Sequence, residues 1–216
     1  MTQLSLPDVE AALDAMIGHA LANEQRYCTL DGAAGDGDFG TSLCDGFRAV
    51  RAGGGGYPRD DVGAFLRAVA MTVTSKMGGS SGPIWGTGFL KAGLAAKGKE
   101  TLSLADVAAL HRAALDGIMQ RGGAALGDKT LVDALSPATE AFERHAAADP
   151  GGDLLAAYDD ATSAAHDAIE GTRNLTAMKG RASFLAERSQ GTVDPGVVAV
   201  AEMFRVVTDT LRERGG

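Results

Sequence analysis

The chain is poor in aromatic residues. Tryptophan occurs once and tyrosine three times in 216 residues, and the three aromatics together make up 5%. Isoleucine is also scarce, so three of the residue types that favour strands, isoleucine, tyrosine and tryptophan, are few. The two cysteines, Cys28 and Cys44, form no CxxC and have no second pair, which excludes a disulfide framework. No run of about 18 apolar residues occurs, so no transmembrane helix is expected. Residues 1–16 lack a basic start and an unbroken apolar stretch, so they do not read as a secretory signal. Lysine and arginine nowhere cluster, and the net charge is −8. Proteins that bind nucleic acid through its phosphates carry a basic face, so that class is excluded as well. These absences together predict a cytoplasmic protein with neither a membrane nor a nucleic acid as partner.

What is present is alanine, leucine and glycine. Hydrophobic residues are 45% and charged residues 22%, which excludes a disordered chain. The length predicts one domain over 1–216. Glycine, at 30 residues, is about twice as frequent as usual and clusters at 53–56 and 78–82, which suggests special loops. Alanine and leucine favour helices, and the periodicity agrees. Ser5, Pro7 and Asp8 mark the start of a helix carrying Val9, Leu13, Met16 and Ile17. Asp60 or Asp61 can cap a second, with Val62, Phe65, Leu66, Val69 and Val73 on one face. Ser103 and Asp106 resemble a capping box for a third. Further helical patterns cover 131–147, 153–170 and 196–213, with shorter helices after Gly40 and after Pro83. No strand and no internal repeat is evident. The expected fold is all-α, a single-domain bundle or barrel of about eight antiparallel helices.

Three loops carry the chemistry. In the first, Leu30 to Ser42, three carboxylates (Asp31, Asp36 and Asp38) fall within eight residues, spaced by glycines. Like charges so close repel unless a cation neutralises them, and Mg²⁺ takes a few carboxylates together with substrate phosphates. Either these aspartates form a Mg²⁺ site, or the segment is a solvated acidic turn in which Asp38 caps the next helix. In the second, Gly78-Gly79-Ser80-Ser81-Gly82 precedes a helix, where free N–H groups and hydroxyls suit phosphate oxygens. The alternative is an ordinary interhelix turn. The third runs from Thr176 to Gly196, where Arg181 is placed either to fork onto a phosphate or to make a surface ion pair. Asp194-Pro195-Gly196 turns into the last helix. Gly35-x-Gly37-x-x-Gly40 is not a dinucleotide fingerprint, because no strand precedes it. The stretch from Gly122 to Thr130 misses a P-loop by one inserted aspartate. Together the loops hold the parts of a phosphoryl-transfer site.

Four segments, LDGAAGDGDFG, MGGSSGPIWGTGFL, GDKTLVDALSPA and KGRASFLAERSQGTVDPG, follow one another between Leu30 and Gly196. In these the chain resembles the nucleotide-binding L subunit of dihydroxyacetone kinases, also found as the C-terminal domain of single-chain, ATP-dependent forms. The resemblance implies a barrel of eight helices with ADP or ATP bound at one end. It implies two Mg²⁺ ions on Asp31, Asp36 and Asp38, phosphate contacts from Phe39, Gly40, Thr41 and Ser42, and a cradle from Ser80 and Ser81. It further implies a base pocket at Gly122 and Leu131, a phosphate-contacting Arg181, and a turn beside the nucleotide at Asp194, Pro195 and Gly196. Phe39 and Thr192 stand where the family usually has histidine, and Ser42 where asparagine is common. None of the four histidines falls in a motif, so no phosphohistidine intermediate is expected, and no side chain is assigned as a catalytic group.

The resemblance makes the chain one subunit of a kinase, active with a separate K subunit that holds a short ketose. The phosphate comes either from ATP or, through a phosphotransferase-system M subunit, by rephosphorylation of bound ADP. Two other readings stay open: a regulatory nucleotide-binding subunit that engages a transcription regulator, and a subunit of a kinase for another small ketose or polyol such as a tetrulose.

Overall fold

Ser5 and Asp8 open the first helix as the spacing predicts. The Ser5 N–H donates to the Asp8 carboxylate at 2.9 Å and the Ser5 hydroxyl donates to it as well. The computed structural model describes residues 1–215. In it a short strand, β1 (Gln3–Ser5), leads into α1 (Leu6–Ala22), followed by α2 (Glu24–Gly32), α3 (Phe39–Gly53), α4 (Val62–Lys76) and α5 (Ser81–Ala95). A second strand, β2 (Thr101–Ser103), leads into α6 (Leu104–Gly122), then α7 (Val132–Ala148), α8 (Leu154–Gly171) and α9 (Pro195–Gly215). Asp61 is the cap of α4, accepting from the Ala64 N–H at 2.7 Å. The glycines at 54–56 form a single 3₁₀ turn between α3 and α4.

Eight of these helices close a ring. Each of α3 to α9 packs on the next in order, α1 packs on α3, and α1 and α9 meet to complete the circuit. α2 lies outside this sequence of neighbours, against α3 and α9. The all-α barrel expectation holds, with α2 as an additional helix. The sequence pattern gives α2 no apolar stripe because only Tyr27 of its residues is buried.

Two expectations need correction. The strands β1 and β2 pair antiparallel, with Leu4 opposite Leu102. They are too short for alternation to reveal them. They also belong to a repeat, since Leu-Ser-Leu-x-Asp-Val occurs at 4–9 and again at 102–107. Each copy supplies one strand, then a serine and aspartate that cap a helix. Nor is the glycine surplus confined to loops. A Cβ at Gly63 would come within 2.5 Å of the Gly93 carbonyl oxygen, so this pair lets α4 and α5 approach closely.

The barrel interior is apolar and includes a cavity of about 220 Å³, lined from α1, α4, α5, α6, α7, α8 and α9. His111 lines it, stacked on Phe142 (4.6 Å between centroids) and Phe204 (5.7 Å). Its Nδ1 lies 2.8 Å from the Val107 carbonyl, which fixes the proton on that nitrogen. Burial pushes its pKa down from 6.5 to about 4. A base held neutral in this way contributes full stability above its unfolded pKa and loses it as pH falls toward the folded one. Stability is therefore expected to drop on the order of 2 kcal/mol between pH 7 and pH 4.5 through this group. In His111→Phe, urea denaturation at the two pH values should show that part of the slope removed.

Candidate functional site at one end of the barrel

Because neighbouring helices run in alternating directions, α3, α5, α7 and α9 all begin at the same end. Residues from all four beginnings line one cavity of about 270 Å³: Phe39 and Ser42, Ser81, Val132, and Pro195 with Gly196. The N-terminal N–H groups of a helix are unsatisfied within it and carry partial positive charge. Four such ends around one cavity favour an anion.

The acidic loop enters this cavity from α2. Tyr27 anchors that helix: it is fully buried, and its hydroxyl donates to Glu202 of α9 at 2.8 Å. Glu202 also accepts from Arg26 and lies 3.0 Å from His19. The last turn of α2 carries Asp31, whose carboxylate accepts from the Phe39 N–H at 3.2 Å. This bond closes the loop onto the start of α3. A Cβ at Gly35 would crowd the Asp31 carboxylate, so glycine there leaves that side chain undisturbed. Gly37 has φ +78°, which glycine tolerates. The outcome is that one carboxylate oxygen from each of Asp31, Asp36 and Asp38 lies within 4.8 Å of the others. Three hard oxygen donors at this spacing suit a divalent cation such as Mg²⁺. Asp38 begins α3 without capping it through its side chain.

Arg181 reaches the same carboxylates. It pairs with Asp36 and lies 3.6 Å from Asp38, with its side chain 60% exposed. It is therefore held by an ion pair, the second of the two arrangements the sequence allows, while still lining the cavity. Gly78, Gly79 and Ser80 form the facing wall, and a Cβ at Gly78 would come within 2.9 Å of Ser42 Oγ. Gly122, Leu131 and Asp194 also line the cavity. Asp194 accepts from the Val197 N–H at 2.9 Å at the start of α9. Burial pushes its pKa up to about 7, and the nearby Asp133 and Asp31 act in the same direction.

Two expected residues do not line the cavity. Gly40 is buried where α3 meets α2, and a Cβ there would come within 2.2 Å of the Glu24 carbonyl. Thr41 is exposed beside Cys28, 3.5 Å from its sulfur. Phe39, in the place of the family's usual histidine, packs edge-on against Tyr27 at 6.1 Å.

Lys129 falls in the stretch that misses a P-loop, and the sequence assigns it no site role. It lines the cavity, is 3% exposed, and has φ +60°. Its ammonium donates to the carbonyls of Arg173 (3.3 Å), Leu175 (3.1 Å) and Ser189 (2.7 Å). Desolvation lowers its pKa. These carbonyls flank the segment bearing Arg181, so Lys129 ties both ends of that loop to the start of α7.

With this geometry in view, comparisons place the molecule. The model of the DAK2 domain matches residues 33–209, and the chain belongs to that family. The ADP-binding subunit DhaL of the PEP-dependent dihydroxyacetone kinase of Escherichia coli (strain K12) is 34% identical over 197 residues. The match covers 91% of this chain and 93% of that protein. The D-erythrulose kinase of Mycolicibacterium smegmatis is 38% identical over 214 residues, which cover 96% of this chain but 36% of that one. Among solved structures, the dihydroxyacetone kinase of C. freundii in complex with AMP-PNP and Mg²⁺ superposes with a TM-score of 0.70 at 25% identity. Here 92% of this chain matches 33% of the longer one. The kinase reading of the sequence agrees with the names these relatives carry. No helix among the described residues is long and apolar enough to cross a membrane.

Lys129→Met should leave three carbonyls without their charged donor and cost about 2–3 kcal/mol in urea denaturation. It should also open the Lys179–Arg188 segment to trypsin, with the new cuts mapped by mass spectrometry.

Proposed function

We propose that this chain is the nucleotide-binding subunit of a dihydroxyacetone-type kinase, carrying Mg-ADP or Mg-ATP for phosphoryl transfer to a short ketose held by a separate K subunit. The carrying observation is that one cavity joins the three clustered carboxylates, the Gly78–Ser81 loop, Arg181 and four helix beginnings. The relatives named as ADP-binding subunits, and the neighbour solved with AMP-PNP and Mg²⁺, support the same reading. It is the reading of a cytoplasmic subunit.

In this reading Asp31, Asp36 and Asp38 hold the metal, two ions by family resemblance. Bound Mg²⁺ would neutralise the phosphates and polarise the bond to the transferred group. The chain's own residues then do the rest. Ser80, Ser81 and the N-terminal end of α5 hold phosphate oxygens in fixed positions. Arg181 exchanges its carboxylate partners for phosphate and steadies developing negative charge. Phe39 cannot donate through its side chain, so its backbone N–H keeps the Asp31 carboxylate in place instead. Asp194, with its raised pKa, limits the negative charge on the cavity wall near neutral pH.

The phosphate donor is either ATP or an M subunit of a phosphotransferase system that recharges bound ADP. Relatives named as PEP- or PTS-dependent subunits support the second. A tetrulose as acceptor is a second reading, supported by the D-erythrulose kinase relative.

Isothermal calorimetry should show Mg-ADP binding to the wild type that is lost on chelation with EDTA. Asp36→Asn should weaken it at least about 100-fold, on the scale of a lost charged metal ligand, with the helical circular dichroism unchanged. Unaltered Mg-ADP affinity in Asp36→Asn would remove the metal-site assignment. Phosphorylation of dihydroxyacetone should require a K subunit and should fail with Asp36→Asn.

A further inference from the structure

The loop that carries Arg181 is tied down at its ends. Lys129 holds the carbonyls of Arg173, Leu175 and Ser189, and the Gly191 N–H donates to the Arg173 carbonyl at 2.9 Å. Between these ties Gly180 stands at φ +65° and ψ −165°, and a Cβ there would meet nothing within 4 Å. Glycine answers at this point to the backbone conformation alone. Arg181 follows it and crosses to a part of the cavity wall 145 positions away. There the guanidinium pairs with Asp36 Oδ2, and its second terminal nitrogen lies 3.6 Å from Asp38 Oδ2.

One side chain of the protein thus occupies two of the three clustered carboxylates. All three partners reach solvent, with 60% of the Arg181 side chain, 34% of Asp36 and 54% of Asp38 exposed. An exposed ion pair is weak and exchanges its partners readily. Asp31 stays outside the pair, with its carboxylate on the Phe39 N–H. The cluster therefore has one anchored carboxylate and two that another cation can take over. A divalent ion carries twice the charge of a guanidinium and attracts each carboxylate more strongly at equal distance. Resting on the nucleotide reading above, we propose that Arg181 is a counter-ion built into the site, which sets the order in which metal and nucleotide bind. Without metal, Arg181 neutralises Asp36 and Asp38 and is withheld from phosphate. When a divalent cation takes those carboxylates, Arg181 is released, turns at Gly180 and meets the phosphates. The same side chain opposes the metal before the nucleotide binds and holds the nucleotide afterwards. A nucleotide without metal can draw Arg181 only by baring the carboxylates against its own phosphates, so the site admits nucleotide with its metal or after it.

These opposed effects can be read from one substitution. Arg181→Gln should bind Mn²⁺ alone about fivefold more tightly than the wild type, the scale of an exposed ion pair, as measured by electron paramagnetic resonance of the free ion. The same variant should bind Mg-ADP at least about tenfold more weakly, the scale of a charged hydrogen bond. In the wild type, trypsin reports the movement, because the protease must draw the Arg181 side chain into its own pocket. Cleavage after Arg181, relative to cleavage after Arg188, should rise when Mg²⁺ replaces EDTA and fall again when ADP is added. Mn²⁺ affinity in Arg181→Gln equal to or below that of the wild type would overturn the inference. So would cleavage after Arg181 that is indifferent to Mg²⁺, a result that decides the matter even if the variant fails to fold. Either result beside strong Mg-ADP binding would remove this inference alone. Absence of any Mg-ADP binding by the wild type would remove the nucleotide reading with it.

Discussion

Mutual repulsion among three aspartates is the constraint around which this end of the barrel is arranged. With one oxygen of each within 4.8 Å of the others, each pair repels by on the order of 1–4 kcal/mol, from water to the effective dielectric of a protein surface. Such a cluster persists only if the backbone holds it and positive charge answers it. The backbone part is visible in Gly35, in the Phe39 N–H on Asp31, and in the Tyr27–Glu202 bond that fastens α2 to α9. The charge is answered here by Arg181, placed by a loop whose two ends are tied to Lys129. A metal ion bound there would compete with Arg181 for the same oxygens, which would link its binding to the position of Arg181.

Topology adds the second source of positive potential. An up-and-down ring of eight helices places every other N-terminus at the same end, and each carries roughly half a unit of positive charge. The acidic loop sits among four such ends. A protein of net charge −8 can thus hold an anionic ligand without a basic surface. The electrostatics that matter are confined to one end of the molecule.

The fold was legible where burial is periodic. The stripes of α1, α4, α6 and α9 point inward, and the caps at Ser5, Asp61 and Ser103 stand where spacing puts them. α2 was not legible, because it is held by one buried tyrosine and a carboxylate 175 positions away. The strands escaped because three residues show no period. At the site, the aspartates, serines and Arg181 could be read from residue type and resemblance. Lys129 could not, because its partners are main-chain carbonyls 44 to 60 positions distant, and those carry no side-chain signature. Gly40 and Thr41 belong to a cavity-adjacent motif, yet the first turn of α3 directs them toward α2. Glycines that read as loop formers prove in part to be contact points between helices, as at Gly63 and Gly93.

The closed ring also decides how the domain can be joined to other polypeptide. A Cβ at Gly215 would come within 3.2 Å of Met1, and the Met1 carbonyl accepts from the Leu154 N–H at the start of α8. Both chain ends therefore lie at the face opposite the carboxylates. An extension before Met1 or after Gly215 would start at the face away from the mouth, so this architecture suits equally a separate polypeptide and one segment of a tethered, longer protein.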